Sequence, residues 1–508
     1  MFDSINLQEA LSDIYNVGVN DDTLALLHQA NAEVHMSVKT PSGLTERQTV
    51  KDIVLQGDTF GSILASVQVD SIGKECIEAG YFYKFKGRLP VGFLGLVDDI
   101  VGITEVGYKA HQLNAMINLK TAEKTLQFGV TKCKSMLICK QSESALFSDL
   151  MVDSWEVEYK DNPETGSLSL VETFSGPTKI EQTTSQTYLG FVLSSTGDNM
   201  AHINMIKKKS IGVMKKIFNR LNGLSLQKYY FECSMIFLNV MLRPSILYGC
   251  DMMYNLKEIE ESYLRKVLNT TRGWPIVQLY LEMGHTPARV EIQKSRLLFM
   301  QYILQQTEDS TISRFFKLQL EMPTRGDWAA MCLKDLDELD IKESLESIRL
   351  MNKNKFSSIL RDKTRRRSLI YLTDKQGTKG KEIQYDKIEM SEYLLPFNNK
   401  LTIEGKRRLF SARNKMVNIS SNFSSSKLVT NCICGEQESM QHIYNTCKML
   451  TIDENSLPYE KIYFGEVNEQ IEILQKLEEN LKRRDTILNL NNEPCDPSGS
   501  AVCTSSFG

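Results

Sequence analysis

Two adjacent carboxylates, Asp98 and Asp99, lie inside the otherwise apolar stretch GFLGLVDDIVGIT, residues 92–104. Branched apolar residues flank the pair, and the stretch contains no basic residue to neutralise it. Burying unpaired charge is costly, so the segment must either turn and expose the pair or bind a cation there. Carboxylates are the ligands that Mg²⁺ prefers, which makes the pair a candidate metal site. For the dipeptide alone, a solvated turn is the simpler interpretation.

A second group of candidate ligands lies in NCICGEQESMQHIYNTCKM, residues 431–449. The spacing C-x-C-x7-H-x4-C is formed by Cys432, Cys434, His442 and Cys447. Three thiolates and an imidazole make a complete tetrahedral set for Zn²⁺, and Gly435 permits a tight turn. The spacing differs from the C-x2-C of ordinary zinc fingers, and unrelated cysteines in a reduced protein are the alternative. Because four protein ligands close the site, its predicted role is structural or RNA-binding.

Residues 199–223 predict an amphipathic helix. Its apolar stripe consists of Ile203, Ile206, Met214, Ile217 and Leu221. Its basic surface, a candidate contact for nucleic-acid phosphates, consists of Lys207, Lys208, Lys209, Lys215, Lys216 and Arg220. A solvated helix face is the alternative. The basic clusters at 363–368 and 405–415 have two possible roles: they bind RNA, or they only keep the helical C-terminal region soluble.

Local patterns indicate how the acidic pair is positioned. Short β-rich runs on both sides of Asp98 and Asp99 predict a hairpin with the acids at its tip. Apolar residues at near-helical spacing over 105–128 predict a following helix, with Gly129 as its stop. The predicted order is strand, acidic turn, strand, helix.

Composition describes a globular chain of 508 residues, 42% of them hydrophobic, which predicts two to four domains. The formal net charge of −3 gives no overall attraction to nucleic acid, so any such partner needs local basic patches. Eleven cysteines, mostly isolated, predict reduced thiols. No spanning segment or signal peptide is recognised, so we expect an intracellular protein of the nucleus or cytoplasm without a membrane partner.

Four ordered motifs resemble those of the reverse transcriptases of non-LTR (LINE-type) retrotransposons. VLQGDTFGSILASVQVD, residues 54–70, resembles the family's glycine-bearing loop and following helix, and LGLVDDIVG resembles its Asp-Asp box. LQFGVTKCKSMLI, residues 126–138, resembles the lysine-bearing motif, and TYLGFVLSSTG, residues 187–197, resembles the primer-grip hairpin. Residues 235–306 resemble thumb and post-thumb segments more weakly.

The resemblance implies an RNA-directed DNA polymerase, with an RNA template, a DNA primer and dNTPs as partners. Asp98 and Asp99 would then bind Mg²⁺ in a two-metal site, and Lys132 would lie near the leaving pyrophosphate. Gln56 and Gly57 would shape the loop beneath the nascent base pair. The primer terminus would be supported by Tyr188, Leu189 and Gly190.

The resemblance also implies a truncation. The opening residues MFDSINLQEAL resemble the end of the family's first palm motif, with Phe2 as the aromatic residue that excludes a ribose 2′-hydroxyl. The family's metal-binding Asp would precede this chain, as would the fingers. We therefore expect no polymerisation by this chain alone. The alternative is a non-catalytic nucleic-acid-binding remnant or a decayed reading frame.

The predicted fold class is α+β: a truncated right-hand palm, a helical thumb, a helical C-terminal region and a small zinc knuckle. The predicted boundaries are 1–140 for the palm, 141–186 for a variable insertion, 187–310 for the primer grip and thumb, 311–430 for a charged helical region, 431–449 for the knuckle and 450–508 for a tail that is largely disordered at its end.

Overall fold

The computed structural model describes residues 5–492 apart from 52–53, 55–58, 98, 106, 125, 127–128, 139–148, 162–167, 224–228, 250–256, 271–273, 275, 325, 375–399, 415, 418–430 and 451–455. The chain divides into two compact units. The first consists of Met1–Met205 with Gln306–Ala330, and the second of Ile206–Gln305 with Met331–Gly508.

The fold is mixed α+β, which confirms the predicted class, and every sheet within the described ranges has two strands. The helices are α1 (Leu7–Asn16), α2 (Asp21–Ala32), α3 (Thr59–Glu78), α4 (Gly107–Glu123), α5 (Met200–Gly223), α6 (Tyr230–Phe237), α7 (Arg243–Leu247), α8 (Lys257–Leu268), α9 (Ile276–Glu282), α10 (Ala288–Gln305), α11 (Thr311–Glu321), α12 (Trp328–Glu338), α13 (Leu345–Leu350), α14 (Lys353–Asp374), α15 (Ile403–Arg413), α16 (Lys461–Phe464) and α17 (Val467–Asn492). The strands are β1 (Glu33–Met36), β2 (Lys39–Thr40), β3 (Gly43–Leu44), β4 (Gln48–Lys51), β5 (Tyr83–Phe85), β6 (Leu89–Val91), β7 (Phe93–Leu96), β8 (Asp99–Gly102), β9 (Lys134–Ser135), β10 (Met151–Asp161), β11 (Leu168–Lys179), β12 (Glu181–Gln182), β13 (Ser185–Tyr188) and β14 (Phe191–Ser194).

In the first unit, the hairpin of β7 and β8 is followed by α4 and lies against α3. The strands pair antiparallel, so the predicted order of strand, turn, strand and helix is confirmed. Leu64 and Ile72 of α3 share a buried core with Leu113 of α4. A Cβ at Gly73 would stand 2.5 Å from Cδ1 of Phe93, so a glycine is needed where α3 approaches β7.

The segment predicted as a variable insertion contains a long antiparallel hairpin, β10 and β11. Its base is attached to α4, because the side-chain amide of Asn118 donates to the Met151 carbonyl at 3.1 Å. Leu150, Val152 and Ile180 form a small buried cluster there. The sequence analysis assigned this segment to an insertion and predicted no hairpin in it.

Residues 306–330 complete the first unit rather than forming a separate region. Phe85 of β5 stacks on Phe315 of α11 with ring centroids 3.9 Å apart. Lys86 pairs with the carboxylate of Asp327 at 2.8 Å, and both side chains are largely buried.

The second unit is helical and contains a buried carboxylate, Glu260 of α8. Glu260 accepts hydrogen bonds from the Arg243 guanidinium at 3.2 Å, the Tyr280 hydroxyl at 3.1 Å and the Ala288 amide at 2.9 Å. A ring nitrogen of His285 lies 2.7 Å from the same carboxylate. The network joins α8 to the connection between α9 and α10, where a buried charge must be fully hydrogen-bonded.

The predicted tail needs correction, because 450–508 contains α16 and α17. Ile473, Leu474 and Leu477 of α17 are buried, so this helix packs on the second unit instead of extending from it. The tail, expected to be largely disordered at its end, is helical as far as Asn492. Residues 493–508 lie outside the described part. No helix that the structure describes is both long enough and apolar enough to cross a membrane.

Candidate functional site

The acidic hairpin turns through a strained residue. Leu96 pairs with Asp99, and the chain turns at Val97. Val97 has a φ of 59°, a left-handed conformation that β-branched residues rarely adopt and that costs on the order of 1–3 kcal/mol. The Asp99 side chain is exposed at the start of β8. Asp98 itself lies outside the described residues, as do Phe2, Gln56 and Gly57.

The predicted primer-grip hairpin also turns through two residues with positive φ. Tyr188 pairs with Phe191, and Leu189 and Gly190 between them have φ values of 48° and 78°. Two successive left-handed residues are typical of the type I′ turn, whose twist matches that of the flanking strands. Leu189 therefore lies at the tip of the hairpin in a backbone conformation that is unfavourable for leucine. Its side chain is 39% exposed.

The charge of Asp99 on the acidic hairpin acts on Tyr188 of the second hairpin. Burial raises the pKa of the Tyr188 phenol, and the negative charge of Asp99 raises that pKa further. The phenol is protonated at neutral pH and is therefore a hydrogen-bond donor. This electrostatic interaction links two of the residues predicted for the polymerase site.

Lys132 ends a short 3₁₀ turn, Val130–Lys132, and its side chain is exposed. The neighbouring residues enter β9, which pairs in parallel with β12 just before the grip hairpin. The position leaves both interpretations of Lys132 open, a pyrophosphate contact or a solvated surface lysine.

His202 is a residue that the sequence analysis missed. Its Nδ1 accepts a hydrogen bond from the Val192 amide at 3.1 Å, and its ring stacks on Phe191 at 4.1 Å. The ring is fully buried in the first turn of α5. It therefore attaches β14 to the start of the basic helix. The only sequence signal was a lone histidine on the apolar side of an amphipathic helix.

Helix α5 confirms the helix predicted over 199–223. Ile206, Ile217 and Leu221 are buried as predicted, while Ile203 and Met214 are half-buried. Among the basic residues, Lys207 is half-buried, and the exposed ones are Lys208, Lys209, Lys215, Lys216 and Arg220. Within the described part of the chain, no carboxylate pairs with any of these five exposed cations.

Most of the described basic residues in the cluster at 405–415 are used inside the second unit. Lys406 is 3% exposed and Arg413 is fully buried. Arg413 donates to Glu282 at 3.0 Å and to Gln470 at 3.1 Å. Arg407 donates to the Val267 carbonyl. The charges of α15 thus serve packing inside the second unit. In the cluster at 363–368, Thr364 and Ser368 are buried and Arg366 is exposed, so that cluster stays open.

The predicted zinc ligands converge in the second unit. One ligand atom from each of four residues lies within 4.8 Å of all the others: Cys432, Cys434, His442 and Cys447. The Sγ atoms of Cys432 and Cys447 are 3.5 Å apart, and Sγ of Cys434 is 3.2 Å from Nε2 of His442. Ligands about 2.3 Å and 2.0 Å from a tetrahedral Zn²⁺ are separated by roughly 3.5–3.8 Å. The cluster can therefore hold a metal ion such as zinc.

A tight turn and a short π-helix present these ligands. The amides of Cys432 and Gly435 bond to the carbonyls of Glu436 and Cys432, and Gly435 has a φ of 86°. This left-handed conformation favours glycine, as expected from the sequence. His442 begins the π-helical turn His442–Thr446, which ends beside Cys447.

The outer nitrogen of the histidine also has partners. Nδ1 of His442 lies 3.1 Å from the Thr446 hydroxyl and 3.3 Å from the Glu436 carboxylate. With Nε2 on a metal, Nδ1 carries the proton and donates to one of these oxygens, which fixes the ring orientation.

No family model matches this sequence, and comparison with curated proteins finds no match.

Proposed function

We propose that this chain binds an RNA–DNA template–primer duplex and derives from a reverse transcriptase of the non-LTR type. The ordered sequence motifs support the derivation. The observation that carries the binding proposal is the outer face of α5, where Lys208, Lys209, Lys215, Lys216 and Arg220 are exposed without carboxylate partners among the described residues.

The spacing of these cations fits phosphate contacts. Lys208 and Lys215 are seven residues apart, and so are Lys209 and Lys216, which places each pair about 10.5 Å apart along one side of the helix. A stripe of this kind contacts the phosphates of a duplex and gives affinity without sequence specificity. The chain is slightly acidic overall, so this local surface must provide the attraction.

The acidic hairpin fits the role of a metal-binding tip. The Asp99 carboxylate is exposed, and no cation within the described residues pairs with it. Asp98 and Asp99 would hold Mg²⁺, which neutralises phosphate charge during nucleotidyl transfer. The protonated Tyr188 phenol would donate a hydrogen bond beside them, and Lys132 would neutralise pyrophosphate.

Primer extension on an RNA template separates the two candidate functions, a polymerase and a non-catalytic nucleic-acid-binding protein. Extension in Mg²⁺ or Mn²⁺ that disappears in Asp98→Asn supports the polymerase. Salt-sensitive binding to the template–primer without extension supports the non-catalytic protein. A chain that neither binds nor extends the template–primer contradicts both.

For the Cys–His cluster we propose structural zinc. Three cysteine sulfurs and one imidazole nitrogen are a donor set that selects Zn²⁺ over the hard cations. Cys432, His442 and Cys447 are buried, which leaves little room for a substrate. Metal analysis of the reduced, purified chain should find one zinc per molecule.

A further inference from the structure

Helix α17 contacts the turn that carries the histidine ligand. Asn480, which is 3% exposed, donates through Nδ2 to the carbonyls of Ile443 at 2.9 Å and Tyr444 at 3.1 Å. These carbonyls belong to the last turn of a short helix, where helical hydrogen bonding leaves acceptors without partners. Isolated π-helical turns are rare and often occur at functional sites. One side-chain amide therefore binds two backbone carbonyls of this turn.

Further contacts hold the same turn to its surroundings. Arg484 of α17 pairs with Glu438 at 2.9 Å, and each side chain is only 8% exposed. Glu438 precedes Ser439, whose hydroxyl accepts from the His442 amide at 3.0 Å. At the other end, the Tyr444 hydroxyl donates to the Leu457 carbonyl at 2.9 Å.

We propose that Asn480 is a positioning residue of the metal centre, so that zinc binding and the docking of α17 are coupled. The proposal rests on zinc occupancy of the four ligands. Asn480 fixes the backbone that directly follows His442 and thereby the position of Nε2. Outer residues that orient a metal ligand typically change metal affinity by about 10- to 100-fold. By linkage, if the docked state of α17 binds zinc more tightly than the undocked state, bound zinc favours docking by the same factor.

The first test compares the zinc affinity of Asn480→Ala with that of the wild-type chain by competition with a chromogenic chelator. We expect Asn480→Ala to bind zinc about 10- to 100-fold more weakly, because His442 loses its backbone support. The control is Gln475→Ala, an exposed position on the same helix, which should leave zinc affinity unchanged. The visible absorption of the three chains is also compared after Co²⁺ substitution. The bands of tetrahedral Co²⁺ should change in Asn480→Ala and stay as in the wild type in Gln475→Ala. Equal zinc affinity in wild type and Asn480→Ala would overturn the proposal.

The second test needs no variant and applies even where Asn480→Ala does not fold. Hydrogen exchange of the wild-type chain is measured with zinc bound and after chelation. Protection of α17 amides should fall after chelation, while α1 in the first unit should keep its protection as an internal reference. Unchanged protection of α17 would refute the coupling. A wild-type chain that contains no zinc would refute zinc binding itself, which is a distinct outcome.

Discussion

At the scale of single residues, the candidate polymerase site is defined by backbone strain and by one electrostatic contact. Val97 and Leu189 both adopt left-handed conformations at the turns of their hairpins. Such conformations persist when surrounding structure over-determines them, and they concentrate at functional sites. The charge of Asp99 raises the pKa of Tyr188, which links the two hairpins of the first unit electrostatically.

The contact between Asp99 and Tyr188 predicts a pKa change. In Asp99→Asn, the pKa of Tyr188 should fall, because one of the two causes that raise it is removed. It should still stay above the usual value, since burial is the larger cause. NMR titration of ring-labelled tyrosine, with Tyr188→Phe to assign the signal, measures this shift. An unchanged Tyr188 pKa would mean that the charge of Asp99 does not act on this phenol.

The turn strain predicts a stabilising substitution. Leu189→Gly should stabilise the β13–β14 hairpin by about 1 kcal/mol, because glycine adopts positive φ without the steric cost that leucine has. Hydrogen exchange of the hairpin amides is the suitable measurement, since a chain of two units need not unfold in one step. The control is Leu44→Gly at an exposed strand position, which should bring no such gain. Weaker protection in Leu189→Gly would contradict the strain argument.

At the scale of elements, local sequence patterns predicted what local interactions determine. The acidic hairpin, the helix after it and α5 follow from apolar spacing and turn residues within about twenty positions. The role of 405–415 could not be predicted, because Arg413 is neutralised by Glu282 and donates a hydrogen bond to Gln470, residues far away in the sequence. The contact of Asn480 with the π-helical turn could not be predicted either, since no sequence pattern relates a side-chain donor to backbone carbonyls that are distant in the sequence.

The buried network around Glu260 predicts how the second unit responds to acid. Burial alone would raise the pKa of Glu260, but the charges of His285 and Arg243 and its hydrogen bonds lower it to about 2. A carboxylate with a lowered pKa stabilises the fold above its unfolded-state pKa, and this contribution is lost as pH falls from about 4.5 to about 2. The second unit should therefore lose stability across that range.

Glu260→Gln tests this dependence. The substitution leaves Arg243 without its buried partner, so it should destabilise the second unit at neutral pH by about 3–5 kcal/mol. It should also remove the part of the acid sensitivity that comes from Glu260. Denaturant unfolding at a series of pH values measures both effects, with exposed Glu472→Gln as the control. An unchanged acid profile would show that Glu260 is not the group responsible.

At the scale of the whole molecule, the charged surfaces serve different purposes. Lys406, Arg407 and Arg413 of α15 are used inside the second unit, whereas five of the six Lys and Arg residues of α5 are exposed. Net charge does not predict this difference, because the difference depends on which cations pair with carboxylates in the folded chain. The α+β class was predictable, whereas α16 and α17 were not anticipated in the segment assigned to a tail.

The most direct test of the central claim is the salt dependence of template–primer binding. Each phosphate contact contributes roughly 0.9 to the slope of log affinity against log salt concentration. The variant Lys208→Gln, Lys209→Gln, Lys215→Gln, Lys216→Gln should therefore bind more weakly, with a slope lower by about 3 to 4. Removing the same charge with Lys317→Gln, Lys342→Gln, Lys353→Gln, Lys355→Gln, all exposed outside α5, should leave the slope unchanged. Equal slopes for the two variants would contradict the assignment of α5 as the nucleic-acid surface.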